Sequence, residues 1–118
     1  MESTAHLRHL RMAPRKISVV AALVRGMPVS KAISTLQFTR RAAALPVKKL
    51  IESAMANATD LSKGSVDIDK LWVKTISVDQ GPTARRYLPR AMGRATRVNK
   101  KTSHIHVVLS DETTKAKK

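Results

Sequence analysis

Two groups of residues in this sequence have side chains able to act on something else. The first is histidine. His104 and His106 stand two apart, and His6 and His9 lie near the other end of the chain. An H-x-H pair puts both imidazoles on one face of a strand and can bind a transition metal. No thiol or carboxylate accompanies either pair locally, so surface histidines, or histidines facing a polyanion, are the preferred reading. Ser103-His104 is not a nucleophile and its base, because adjacent strand residues point to opposite faces. Asp67 and Asp69 read as a solvated strand entrance rather than a catalytic pair. Gly81 and Gly93 form no phosphate-cradling loop. The sequence is therefore read as non-enzymatic, with no metal and no other cofactor.

The second group is cationic. Residues 80–110 carry Arg85, Arg86, Arg90, Arg94, Arg97, Lys100 and Lys101 and no acid at all. Residues 1–60 hold ten basic and three acidic side chains, and residues 61–79 hold three of each. The whole chain of 118 residues has a formal charge of +15. A merely solvated surface mixes signs, whereas a long one-signed segment fits contact with phosphate. Five of the seven are arginine, whose planar fork suits bidentate phosphate and base-edge contacts. A membrane surface is the other polyanion, but it calls for a basic amphipathic helix. Pro82, Pro89 and Gly93 exclude a long helix here, so nucleic acid is expected and no membrane partner.

Only three aromatic residues occur, Phe38, Trp72 and Tyr87. Readers of single strands stack bases on aromatic platforms, so recognition by shape and phosphate is the better fit. The absence of cysteine excludes disulfides, thiolate metal sites and zinc fingers. The opening residues show no apolar run of signal-peptide length and the longest apolar run, residues 19–24, is too short to span a bilayer. A soluble, cytoplasmic protein is expected. At 118 residues with 42% apolar content, one small domain is expected over residues 1–110. Folding at this size hides roughly 65% of the unfolded surface, so the core is thin.

These cations need elements to hold them. Residues 4–12 alternate as a short strand, with Ala5 and Leu7 on one side and His6, Arg8 and Leu10 on the other. Pro14 begins a helix in which Ile17, Val20, Ala21 and Val24 form the core stripe and Gly26 follows the end. A second helix runs over residues 30–37, with Ala32, Ile33 and Leu36 inward. Thr39 is the expected N-cap of a third helix reaching residue 59, whose stripe is Val47, Leu50, Ile51, Ala54 and Ala58. Pro46 then lies inside that helix and kinks it, at about 3 kcal/mol. Beyond Lys63-Gly64 the character becomes β. Residues 71–78 form a strand with a bulge near Lys74-Thr75, and residues 104–109 alternate with Ile105, Val107 and Leu109 on one face. The tail, residues 111–118, reads as disordered and basic.

Two strands flank the basic segment, and strands joined without a helix pair antiparallel. If Val78 pairs near His104, the turn centres near residue 91, beside Gly93, the residue best suited to positive φ. The expected fold is α+β: three helices on a small antiparallel sheet, with a long protruding β-hairpin over residues 80–102. Its arms would extend roughly 30–35 Å at ~3.3 Å per residue. Pro82 and Pro89 are each expected to delete a ladder donor. With only Tyr87, Leu88, Met92 and Val98 as large apolar residues, the ribbon has no core of its own and depends on a partner for order.

Several blocks then align in one order: Pro14-Arg15-Lys16, Leu23-Val24-Arg25-Gly26, Glu52-Ser53-Ala54-Met55-Ala56-Asn57-Ala58, Val78-Asp79-Gln80-Gly81-Pro82, Pro89-Arg90-Ala91-Met92-Gly93-Arg94-Ala95 and Lys101-Thr102-Ser103-His104-Ile105. Over residues 4–110 the chain resembles the universal L-twenty-two family of large-ribosomal-subunit proteins, bacterial type. The resemblance implies a structural constituent of the large ribosomal subunit that binds 23S ribosomal RNA and tethers several of its domains early in assembly. It implies a body on the subunit surface near the polypeptide exit and a hairpin lining the exit tunnel beside large-subunit protein four, passed by the nascent polypeptide. Arg85, Arg86, Arg90, Arg94, Arg97, Lys100 and Lys101 become hairpin RNA contacts, with Arg90, Ala91, Met92, Gly93 and Arg94 at the tunnel-lining tip. Arg11, Arg15, Lys16 and Arg25 become body contacts. The competing classes are a free basic nucleic-acid chaperone or architectural DNA binder, and an RNA-processing enzyme, which would need a pocket with a pKa-shifted residue.

Overall fold

The first helix starts where proline is tolerated, since the N–H that Pro14 lacks would have no helical partner anyway. In the computed structural model, which describes residues 2–64 and 67–111, α1 (Pro14–Val24) buries Ile17, Val20, Ala21 and Val24 as the spacing predicts. Gly26 follows at φ 82°. Its N–H donates to the Val73 carbonyl at 3.1 Å, and the Val73 N–H returns to Met27 at 2.9 Å. The link to α2 (Val29–Gln37) thus runs beside the start of β2 (Trp72–Pro89) and covers part of its free edge. The Arg25 guanidinium extends the cover, donating to the Ile76 carbonyl at 2.8 Å.

The third helix departs from expectation. α3 (Ala44–Ser62) begins five residues beyond Thr39, which instead returns its hydroxyl to the Thr35 carbonyl at the end of α2. Pro46 therefore stands in the first turn of α3, not in its interior, and breaks no interior hydrogen bond. The predicted kink has no cause. The helix ends with Lys63 and Gly64 both left-handed, their N–H groups closing onto Asp60 and Thr59.

A three-stranded antiparallel sheet of order β1-β3-β2 completes the body, with β1 (Glu2–Leu10) and β3 (Ala95–Ser110) paired at its far side. One buried cluster joins Ile17, Val20, Val29, Leu36, Val47, Ile51, Val73, Ile105, Val107 and Leu109 across all three helices and the sheet. The stripe Ala54 and Ala58 keeps α3 close to β1 because neither side chain holds the backbones apart. Ser3 donates to the Ala54 carbonyl and Asn57 donates to the Thr4 carbonyl, which binds this edge strand to the helix. At the strand's start Lys74 donates to Glu2 and, by that bond and its charge, holds the Glu2 carboxyl below the ordinary carboxylate range.

The sheet has two phase changes near the body, one in β1 unlike the alternation expected and one in β2 as expected. Leu10 joins Leu7 against the core rather than siding with His6 and Arg8. The cause is a register shift between Leu7 and Leu10, with His9 at φ 58°. A bulged residue reverses the strand's alternation. The shift between Val73 and Thr75 is the bulge expected at Lys74. The tail, residues 112–118, lies outside the described residues.

Because α3 and β1 are spaced by alanines, Ala54→Leu is expected to overpack the interface and cost about 1–3 kcal/mol. Thermal unfolding of the free protein should show a lower midpoint; an unchanged midpoint would mean that this spacing is not tight.

Candidate nucleic-acid interface

β2 and β3 do not stop at the body. They continue as a two-stranded ribbon in continuous antiparallel register from Thr83↔Lys101 to Pro89↔Ala95. The molecule measures 65 × 24 × 23 Å, and its radius of gyration is 17.4 Å. A compact chain of this length would give about 13–14 Å, so the ribbon stands well clear of the body. None of the buried core residues lies between residues 80 and 102. The pairing centre falls at Met92, one residue past the expected position, since a second register shift occurs between Gln80 and Thr83.

That shift marks the ribbon's root. Gly81 and Pro82 together oppose Thr102 alone, so Pro82 sits in a bulge and not in the ladder where it was expected to delete a donor. Its carbonyl accepts from the Thr102 hydroxyl at 2.6 Å. A Cβ on Gly81 would stand 2.7 Å from Thr102 Oγ1 and 3.1 Å from the His104 ring, so glycine here makes room for two side chains. At the other end, the Arg90 N–H bonds the Arg94 carbonyl and the turn passes through Ala91, Met92 and Gly93. Gly93 takes φ 73° as its type predicts, and Met92 takes φ 63°, which costs a non-glycine residue about 1–2 kcal/mol. Met92 is 95% exposed.

The register assigns each cation to a face, because directly opposed residues point the same way. Lys101, Arg85 and Arg97 lie on one face, through the pairs Thr83↔Lys101, Arg85↔Asn99 and Tyr87↔Arg97. Lys100 and Arg86 lie on the other, through Ala84↔Lys100 and Arg86↔Val98, and Arg90 and Arg94 flank the turn. All seven are exposed. The ribbon is cationic on both faces.

The body residues expected at the interface divide. Arg11 and Lys16 come together with Lys100 and Lys101 around a groove of about 740 Å³ at the ribbon's root. Arg15 is exposed on α1 outside the lining, and Arg25 serves the β2 edge. Arg40 and Arg41 also line the groove, and sequence reasoning missed them. Their signal was a basic pair between two helices, hidden by placing them in the first turn of a helix capped at Thr39.

The histidines pair across the sheet. His6 and His106 approach to 2.8 Å between Nδ1 atoms, one ring donating to the other. The His9 backbone N–H donates to His104 Nδ1 at 3.1 Å, and these rings meet edge to face. Asp79, opposite His104 in register, supplies the carboxylate that no local stretch of sequence contains. Even so, among the described residues no three His, Asp or Glu side chains are placed to hold a metal ion. No helix of the described residues is long and apolar enough to cross a membrane.

Comparison with known proteins decides the family. The description of ribosomal protein L22p/L17e matches residues 5–110. The chain belongs to that family. It is 71% identical over 111 residues to large ribosomal subunit protein uL22 of Myxococcus xanthus, covering 94% of this chain and 97% of the relative. Identity is 57% over 105 residues to the uL22 of Anaeromyxobacter sp. (strain Fw109-5), covering 89% and 72%. With the uL22 of Geobacter sulfurreducens it is 49% over 112 residues, covering 95% and 99%. Membership makes the chain a structural, non-enzymatic constituent of the large ribosomal subunit.

Gly81→Ala tests the ribbon's root. The added methyl displaces Thr102 and its bond to Pro82, at an expected cost of about 1–3 kcal/mol. On that background Thr102→Ala should cost much less than it does alone, because the bond is already lost. Additive losses in thermal unfolding would show that the two residues do not interact.

Proposed function

We propose that the chain binds large-subunit (23S) ribosomal RNA chiefly through the ribbon, which lies between RNA segments with phosphate on both faces. The observation that carries this reading is the pairing register, which puts three cations on one face, two on the other and two more at the turn. A ribbon lying on a single RNA surface needs one cationic face. A ribbon inserted between two RNA surfaces needs both. The absence of a ribbon core supports the same reading, since neutralising partners on two sides supply the order that packing does not.

In this reading Arg85, Arg86, Arg97, Lys100 and Lys101 hold RNA along the ribbon, and Arg11, Arg15, Lys16 and Arg25 add contacts from the body. By gripping separate RNA segments the protein tethers several ribosomal RNA domains during early assembly. The tip, Arg90 to Arg94, lines the polypeptide exit tunnel near large-subunit protein four, where the nascent polypeptide passes it. The body lies near the tunnel exit on the subunit surface, and the protein works in the cytoplasm.

If each ribbon cation neutralises one phosphate, log affinity for a 23S fragment falls against log salt with a slope of roughly −5 to −6. Arg85→Gln/Arg86→Gln/Arg97→Gln should make that slope shallower by about 2–3. A wild-type slope near −1 would sink the phosphate reading, and tighter binding to duplex DNA than to the 23S fragment would favour the architectural DNA-binding class.

The tunnel placement has its own test. A photoreactive amino acid in place of the exposed Met92 should crosslink to nascent chains in translating ribosomes. Crosslinks to ribosomal RNA alone would place the tip away from the tunnel lumen.

A further inference from the structure

The groove at the ribbon's root has a construction that the ribbon lacks. Six cations line it, drawn from four separate segments: Arg11 after β1, Lys16 in α1, Arg40 and Arg41 between α2 and α3, and Lys100 and Lys101 on β3. No acidic side chain lines it. None of the six has an ion-pair partner among the described residues. Its wall is braced, because Ser103 on β3 donates to the Met12 carbonyl at 2.6 Å and fixes the turn after β1 to the strand that carries Lys100 and Lys101.

The shape limits the occupant. The whole molecule spans 24 and 23 Å along its two shorter axes, and a hollow of about 740 Å³ between body and ribbon is too small to enclose a duplex, which could only lie across its mouth. A projecting piece of backbone, as in a bulge, loop or sharp turn, enters such a hollow. No aromatic side chain lines the groove, so bases have nothing to stack on and the contact reads backbone rather than sequence. The positive ends of the α1 and α3 dipoles open on the same side, at Ala13 and Ala43, and add to a field already set by the cations.

We propose that this groove clasps the sugar-phosphate backbone of an unpaired or sharply turned RNA segment, and that the clasp sets the angle between ribbon and body. This rests on the RNA-binding reading above. The coupling follows from where the cations reside. Four belong to the body and two to the ribbon, so an empty groove is forced open by like charges and a phosphate bound between them draws the two parts together.

The full chain allows a direct test, because it contains no cysteine and can be spin-labelled at will. Labels at Ser34→Cys on α2 and Ala95→Cys on the ribbon report the angle as a distance distribution. The probes are an RNA stem with a bulged loop, a continuous RNA duplex of equal length, and inorganic phosphate. The looped RNA should narrow the distribution and bind more tightly than the duplex. Arg40→Gln/Arg41→Gln, both exposed in a helix connection, should abolish the narrowing, weaken looped-RNA binding roughly tenfold and reduce the salt slope by about 1–2. Duplex binding should weaken by a much smaller factor than looped-RNA binding.

Looped-RNA binding that survives Arg40→Gln/Arg41→Gln but is lost in Arg85→Gln/Arg86→Gln overturns the clasp and leaves the ribbon's RNA reading intact. Looped-RNA binding that survives both pairs of substitutions overturns the clasp and the ribbon alike as the RNA contact surface, and wild-type protein that binds neither RNA overturns the RNA-binding reading itself. Narrowing by inorganic phosphate as complete as that by looped RNA would make the groove a general anion site and remove RNA as its specific occupant.

Discussion

β3 is hydrogen-bonded on both of its edges near the body and on one edge beyond it, and the rest of the structure depends on that continuity. Between Ser103 and Ser110 it lies between β1 and β2, with Ile105, Val107 and Leu109 in the core. Between Ala95 and Thr102 the same strand carries three cations and has no core beneath it. The buried half anchors the exposed half. A ribbon of this composition is marginal alone in water, but here its register is inherited from packed residues and enters solvent already set. A slip of one residue in the body would exchange the two faces of the ribbon all the way to Met92.

The anchoring explains which parts of the fold could be read from the sequence. Features set by local spacing were legible: the stripe of α1, the bulge at Lys74, the alternation of Ile105, Val107 and Leu109, and the glycine of the turn. The errors came where one residue changes the phase or the start of an element. His9 in a left-handed conformation reversed β1 and sent Leu10 inward; histidine is enriched in that geometry but adopts it too rarely for the residue type alone to mark the bulge. Pro46 looked like an interior kink only because α3 was started at Thr39. A proline fits the first turn as well as a kink, and the sequence alone did not separate the two.

The ribbon cations of the candidate site were equally legible, because a run without acids needs no tertiary knowledge to recognise. What the sequence did not yield was convergence. Arg40 and Arg41 are about sixty residues from Lys100 and Lys101 in sequence, and only the docking of α3 against β1 and β3 brings them around one groove. His6 and His106 are likewise one hundred residues apart and share a hydrogen bond. Family resemblance located the chain in the ribosome, but it did not indicate that body and ribbon cations line one groove.

The sheet order β1-β3-β2 also constrains how the molecule comes into being. The strand made first must pair with the strand made last, so β1 has no partner in the sheet while the helices, β2 and the turn are synthesised. The three helices can begin to associate early through local contacts, whereas closing the sheet waits for contacts of very high sequence separation. During that interval a strongly basic chain has an unpaired edge. Capture by RNA during this window would join folding to assembly, and the order of events would be set by strand topology as much as by affinity.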